Sequence, residues 1–133
     1  NLRSAFAAVR AAAPAMRETG GSIVLVSSAA ARTGLANHEA IAAAKAGVEG
    51  LARAAAASYA GWGVRVNAVA PGLVRTPLAA PLTENEGLRK ASETGEPGHA
   101  ASAICWLLDP APGWVTGQVL GVDGGLATVR GRG

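Results

Sequence analysis

The sequence predicts an α/β domain built on a parallel sheet, and three observations support this fold class. Three short hydrophobic runs occur, SIVLVSS, VRVNAVA and QVLGVDGG, and segments with helical character precede each of them. The first two runs are unbroken and rich in valine, which is typical of strands buried on both faces of a parallel sheet. Glycine or proline follows each run or lies close to its end. Helices that alternate with such strands favour a doubly wound sheet.

The first segment has the pattern of an amphipathic helix. Hydrophobic residues recur every three or four positions from Leu2 to Met16, while three arginines repeat on another face. Pro14 is expected to disturb the last turn. Gly20 and Gly21 are expected to end this segment before the first strand.

A long, alanine-rich helix is predicted from about His38 to Tyr59, with Asn37 as its N-terminal cap. Gly47 and Gly50 each weaken such a helix by about 1 kcal/mol relative to alanine. Their presence therefore predicts close packing against another helix, either within the chain or between subunits.

The carboxyl-terminal part is expected to contain a further helix and a tail. A polar stretch from about Pro81 to Gly98 precedes the helix AASAICWLLD, in which Cys105, Trp106 and Leu107 are assigned to the core. Residues 126–133 end in VRGRG and are predicted to be a basic, flexible tail.

Composition argues against several classes of function. The net charge of +3 comes mostly from singly spaced arginines, and no basic tract suited to nucleic acid is present. The sequence has no run of eighteen or more apolar residues and no signal-peptide pattern, so we expect a soluble protein without membrane contact. The single cysteine suits a reducing compartment, and we therefore expect a cytoplasmic location.

Four motifs follow one another in a defined order. They are SIVLVSSAA, AIAAAKAGVEGLARAAA with Lys45, VRVNAVAPGLVRTPL and VTGQVLGVDGG. From Asn1 to about Gly125, their order and spacing resemble those of short-chain dehydrogenases/reductases, and most of all the branch that includes 3-oxoacyl carrier-protein reductases. The resemblance implies a Rossmann-type fold and reversible hydride transfer between NAD(H) or NADP(H) and a small carbonyl or alcohol substrate. It also implies a homo-oligomer for the full-length parent.

The resemblance further implies a catalytic group from which one member is missing. Ser28 matches the family serine that hydrogen-bonds the reacting oxygen, although it also suits a simple turn cap. Lys45 matches the lysine that holds the nicotinamide ribose and lowers the pKa of the catalytic tyrosine. Asn1 matches the asparagine of a proton relay. The tyrosine position, four residues before the lysine, is Ile41, which has no proton to donate.

Other side chains are candidates for the missing proton donor. Tyr59, the one tyrosine in the sequence, lies more than about four helical turns from Ile41 and is no substitute. His38 and Glu39 lie closer and could supply a proton. The alternative is that both are ordinary polar residues of the first helical turn, with Glu39 favourably placed in the helix dipole.

A second group of residues is implied to meet the cofactor. Pro71, Gly72, Val74 and Thr76 in PGLVRTP resemble the family segment that contacts the nicotinamide carboxamide, through the backbone at Val74 and the hydroxyl at Thr76. The alternative is a plain Pro-Gly turn. The following stretch, from Leu88 to Ala100, is shorter than in relatives, which predicts an altered substrate lid.

The sequence leaves two functions of different classes open. No G-x-G-x-x-G spacing occurs, and a three-stranded parallel sheet would leave exposed edges, so residues 1–133 are predicted to be the second half of a Rossmann-type domain. One function is that of an NAD(P)-dependent oxidoreductase in which Ile41 replaces the usual tyrosine. The other is that of a non-catalytic or truncated dinucleotide-fold protein that acts only in binding or assembly.

Overall fold

The computed structural model describes residues 1–84, 86 and 93–129. Its helices and strands alternate around one parallel sheet, in agreement with the predicted fold class. In chain order the elements are α1 (Leu2–Ala15), β1 (Gly21–Val26), α2 (Glu39–Tyr59), β2 (Val64–Pro71), α3 (Ala80–Thr83), α4 (Pro97–Leu108) and β3 (Val119–Val122).

The sheet has the strand order β1-β2-β3, with all three strands parallel. Gly21 pairs with Val64 at the start of β1, and Val26 pairs with Val69 at its end. The central strand β2 is buried along nearly its whole length, as its unbroken hydrophobic sequence predicted. Burial in β1 instead alternates, and Val26 is 46% exposed, so the prediction of a strand buried on both faces was wrong there.

Helices α1 and α2 cover one face of the sheet. Their buried side chains form a core with alternate residues of β1 and β2, as expected from the two-residue period of a strand. The core residues are Val9, Ala13, Ile23, Leu25, Val48, Ala52, Ala55, Ala56, Val64, Val66 and Ala68. Gly47 lets α1 approach α2 closely, because a Cβ at this position would lie 2.7 Å from Leu2 Cδ2. Gly50 has no such neighbour within 4 Å among the described residues, so close packing between helices is confirmed at Gly47 and not at Gly50 in this part of the chain.

Three predictions for individual residues were wrong. Asn37 does not cap α2, because it adopts a left-handed conformation with φ of 61°, one residue before His38 at the N-cap. Cys105 is exposed and Trp106 is 49% exposed. Helix α4 turns Leu107, only 1% exposed, toward the sheet, and the helical period carries the two preceding residues outward.

The predicted tail divides into two parts. Leu126 and Ala127 donate backbone hydrogen bonds to Asp123, and Thr128 and Val129 donate to the carbonyl oxygen of Gly125. Residues 130–133 lie outside the described residues, as do residues 88–92 at the start of the shortened stretch. A flexible tail over 126–133 and an altered lid therefore stay predictions.

Within the described ranges, no helix is long and apolar enough to cross a membrane. The same part of the chain contains no group of three or more His, Cys, Asp or Glu side chains arranged to hold a metal ion.

Candidate active site

The candidate site lies where β1 and β2 end. Because the strands are parallel, their carboxyl ends meet at one edge of the sheet, the position at which such sheets bind ligands. The Ser27 N–H donates to the Val69 carbonyl oxygen at 2.7 Å and so extends the strand pairing by one residue. Ser28 follows directly, and on the neighbouring strand Gly72 follows Pro71.

Ser28 is half-buried and has extended backbone geometry, with φ of −162° and ψ of 150°. Its Oγ accepts a 3.2 Å hydrogen bond from the Ala30 N–H and caps a short 3-10 helix, Ala29–Ala31. This is the turn-capping role that the sequence left open. A hydroxyl that accepts one bond can still donate its own hydrogen, so capping is compatible with a contact to a substrate oxygen.

Lys45 lies in the second turn of α2. Its Nζ donates a 2.8 Å hydrogen bond to the carbonyl oxygen of Val26, two residues before Ser28. Burial of the ammonium lowers the pKa of Lys45 below its ordinary value of 10.5. An ammonium has three donors, so two remain for other partners.

Ile41 lies one helical turn before Lys45 and lines a cavity of about 320 Å³. We call it the Ser28 cavity; its lining residues are Ser28, Ala29, Ala30, Leu35, His38, Ile41, Gly72, Leu73, Leu82 and Leu126. Tyr59 is absent from this set and instead stacks against Trp62, with ring centroids 5.0 Å apart. An aliphatic side chain, four residues before Lys45, therefore lines the same cavity as Ser28.

His38 lines the Ser28 cavity, but it is not bonded to Ser28. Its Nδ1 lies 2.7 Å from the Ala36 carbonyl oxygen, and a carbonyl can only accept, so Nδ1 carries the hydrogen in this bond. No hydrogen bond joins His38 to Ser28 among the described residues. Glu39 is exposed and does not line the cavity. Proton donation by either residue stays a prediction.

The segment after β2 offers polar groups suited to a carboxamide. Leu73 and Arg75 pair with Gly95 through backbone hydrogen bonds of 2.8 and 2.9 Å, which leaves the N–H and carbonyl of Val74 between them without a partner in the described part of the chain. Thr76 Oγ1 accepts a 3.2 Å bond from the Ala79 N–H and keeps its own hydrogen to donate. A primary amide needs both acceptors and donors, so these groups fit it.

Gly72 is required for the shape of this edge. A Cβ on Gly72 would lie 2.7 Å from the Asp123 Cα, and the Gly72 N–H donates to the Val122 carbonyl oxygen at 3.1 Å. The glycine therefore allows the segment after β2 to pack against the end of β3, which is more than a simple Pro-Gly turn requires.

Asn1 lies at the N-cap of α1. Its carbonyl oxygen accepts from Ser4 Oγ at 2.8 Å and from the Ala5 N–H at 3.3 Å. The Asn1 side chain makes no hydrogen bond to Ser28 or Lys45 within the described residues, and its relay role stays a prediction.

Sequence reasoning missed a buried polar network beside the site. Ser27 Oγ lies 3.0 Å from Glu49 Oε1 and 3.2 Å from the Lys45 carbonyl oxygen. Arg32 Nε contacts both carboxylate oxygens of Glu49, at 3.1 and 3.2 Å. The side chains of Arg32 and Glu49 are 35% and 8% exposed. Glu49 follows Lys45 by four residues and so lies on the same side of α2, and this spacing could have indicated that Glu49 is near the site.

The chain is similar to known proteins in both sequence and structure. Residues 1–127 match the family described as enoyl-(acyl carrier protein) reductase. A solved short-chain type dehydrogenase/reductase from Mycobacterium ulcerans superposes with a TM-score of 0.91 at 35% identity, covering 98% of this chain and 50% of that one. The chain belongs to the short-chain dehydrogenase/reductase family.

Other members of the short-chain dehydrogenase/reductase family support the assignment. Trans-4-hydroxycyclohexanecarboxylate dehydrogenase of Sinomonas cyclohexanicum is 38% identical, over 94% of this chain and 48% of that protein. The 3-oxoacyl-[acyl-carrier-protein] reductase of Thermotoga maritima is 39% identical, over 95% and 54%. A 7α-hydroxysteroid dehydrogenase solved with NADH has a TM-score of 0.88 at 32% identity, covering 94% of this chain and 52% of that one. The chain spans about half the length of the curated relatives it matches.

Proposed function

We propose that this chain forms the substrate side of an NAD(P)-dependent oxidoreductase that interconverts a carbonyl and an alcohol. The observation that carries the proposal is the meeting of three elements at one edge of the sheet. Ser28 lies after β1, the Lys45 ammonium is bonded to the end of β1, and the Val74–Thr76 segment lies after β2.

The polar groups of the chain fit a nicotinamide nucleotide, which supplies or accepts the hydride when bound. The two remaining donors of Lys45 suit the ribose hydroxyls. The backbone groups of Val74, which have no partner among the described residues, and the Thr76 hydroxyl would suit the carboxamide.

Ser28 would donate its hydroxyl hydrogen to the substrate oxygen. This bond orients the carbonyl and stabilises the negative charge that develops on oxygen as hydride reaches carbon. The oxygen must then receive a proton, which Ile41 lacks. His38, which lines the same cavity, is the candidate donor, and exchange with solvent is the alternative.

Ile41 supports the second function left open by the sequence, namely a non-catalytic or truncated dinucleotide-fold protein that acts only in binding or assembly. A positioned general acid typically contributes about a hundred- to ten-thousand-fold in rate, so its loss can leave binding intact and catalysis negligible. Activity distinguishes the oxidoreductase from this alternative, and cofactor binding without activity would indicate its binding form and not its assembly form.

The test is a titration of this chain with NADH and with NADPH, in which binding is measured by fluorescence or calorimetry. We expect saturable binding that is weakened at least about tenfold in Lys45→Met, because charged hydrogen bonds are lost. Arg53→Met is the matched control, since it removes an exposed cation from the same helix. Absence of binding, or equal weakening by both variants, would overturn the proposal for this chain.

A further inference from the structure

The Ser28 cavity is almost entirely apolar. Eight of its ten lining residues are alanine, leucine, isoleucine or glycine, and the side chains of Ser28 and His38 are the polar exceptions. The aliphatic members come from several parts of the fold: Leu35 before α2, Leu73 after β2, Leu82 in α3 and Leu126 after β3. Ile41 adds a further aliphatic surface at the position where the motif has a phenol.

Among the residues that the structure describes, no side chain of fixed charge lines this cavity. Lys45 is absent from the lining, and its ammonium is bonded to the Val26 carbonyl oxygen. Arg75 lines a separate open cleft, and its Nε is paired with Glu96 at 2.8 Å. A carboxylate entering the Ser28 cavity would lose its hydration without gaining a cation.

The volume limits the size of the occupant. At about 30 Å³ for each water-sized group, a space of about 320 Å³ holds on the order of ten non-hydrogen atoms. One hydroxyl donor, at Ser28, is available to hold a single oxygen of such a molecule.

We infer that the Ser28 cavity selects uncharged, alicyclic or short aliphatic ketones and alcohols and rejects those that carry a carboxylate. The inference rests on the proposed carbonyl/alcohol function for the role of Ser28, and it names the substrate class of that site. It separates this chain from trans-4-hydroxycyclohexanecarboxylate dehydrogenase of Sinomonas cyclohexanicum, a relative whose name specifies a carboxylate substrate.

The test uses two ligands of equal size that differ in charge, 4-oxocyclohexanecarboxamide and 4-oxocyclohexanecarboxylate. Dissociation constants are measured on the unmodified chain without cofactor by saturation-transfer NMR, at about pH 8.5, above the range in which histidines change charge. We expect the amide to bind at least about tenfold more tightly than the carboxylate. Equal affinities, tighter carboxylate binding, or no binding of either ligand would each overturn the inference.

A pair of variants assigns the preference to the cavity. Leu82→Arg places a cation in the lining and is expected to reverse the preference toward the carboxylate. Leu78→Arg adds the same charge at a residue that is 94% exposed and outside the lining, and should leave the preference unchanged. Equal effects of both variants would indicate attraction by net charge and would contradict the assignment.

Failure of the predicted ligand preference can be distinguished from failure of the proposed oxidoreductase function. Cofactor binding is measured in its own titration, so a chain that prefers the amide but binds neither NADH nor NADPH would retain this cavity selectivity and lose the oxidoreductase proposal. A chain that binds NADH but prefers the carboxylate would retain support for the oxidoreductase proposal and would overturn the inferred selectivity of the cavity.

Discussion

The Lys45 ammonium donates a 2.8 Å hydrogen bond to the carbonyl oxygen of Val26, the last residue of β1. The bond ties the second turn of α2 to the strand end, two residues before Ser28. The end of β1 thus positions both Ser28 and the Lys45 ammonium. It also keeps the ammonium partly out of water, which lowers the pKa of Lys45 below 10.5.

The lowered pKa of Lys45 predicts two pH effects of opposite sign. As the pH rises through this lowered pKa, which lies below 10.5, the ammonium loses its proton. The affinity for NADH should then fall, by at most about tenfold for each pH unit. Between the lowered pKa and 10.5 the unfolded chain holds more protons than the folded one, so this residue makes stability rise with pH. Calorimetric titration and thermal unfolding across this range measure the two effects.

Lys45→Met is the reference for both pH effects, because subtracting its pH profiles removes the contribution of every other titrating group. The difference in NADH affinity and the difference in stability should both change below pH 10.5. If neither difference varies with pH there, the ammonium is not buried as described.

Ile41→Tyr is expected to introduce ketone reduction with NADH or NADPH. The new phenol would lie one helical turn before Lys45 and would line the same cavity as Ser28. The nearby ammonium favours phenolate and eases proton transfer, which is worth about a hundred- to ten-thousand-fold in rate. Steady-state assays on a panel of neutral ketones measure the gain over the unmodified chain.

Ile41→Phe provides the control for this gain, because it introduces the ring without the hydroxyl. A comparable rate in both variants would show that filling the cavity, and not proton donation, caused the change. If the unmodified chain is already active, His38→Gln should abolish that activity if the imidazole is the proton donor. Activity retained in His38→Gln would exclude His38.

Glu49→Gln is expected to lower the free energy of unfolding by about 1–3 kcal/mol, because the buried acceptor shared by Ser27 and Arg32 loses its charge. Arg32 is 35% exposed, so Arg32→Gln should cost less, up to about 1 kcal/mol. Urea denaturation of both single variants and the double variant gives the coupling energy. Glu39→Gln, an exposed change on the same helix, should be nearly neutral, and an equal cost there would contradict a role for the network.

The two glycines of α2 predict unequal effects of alanine. Gly50→Ala should stabilise the chain by about 0.5–1 kcal/mol, because no atom outside the helix backbone lies within 4 Å of the new Cβ. Gly47→Ala gains the same helix propensity but displaces Leu2, whose Cδ2 would lie 2.7 Å away, so its net gain should be smaller. Thermal unfolding of the two variants measures the difference in stability. Equal gains would show that α1 shifts to accommodate the new Cβ without a loss of stability.

Much of the fold followed from local patterns in the sequence. The valine-rich run ending at Ala70 predicted a buried strand, which the structure confirms as β2, and α2 ends at Tyr59 as predicted. The resemblance of the motifs predicted that Ser28 and Lys45 serve one site, and the sequence has isoleucine and not tyrosine at position 41. The cap of α2 was not predictable in this way, because the left-handed turn at Asn37 depends on the path of the whole loop.

The sequence by itself determined which chemical groups the chain can offer, because residue identity and helical spacing are local properties. Tertiary structure alone decided that Leu35, Leu82 and Leu126 line one cavity with Ser28, with no fixed charge among the described lining residues. It also decided that Glu49 is buried against Ser27 and Arg32. These residues are far apart in the chain, and only the packing of helices on the strand ends brings them together. A buried polar group destabilises the fold unless it is hydrogen-bonded, and which groups are buried is decided only by the assembled fold.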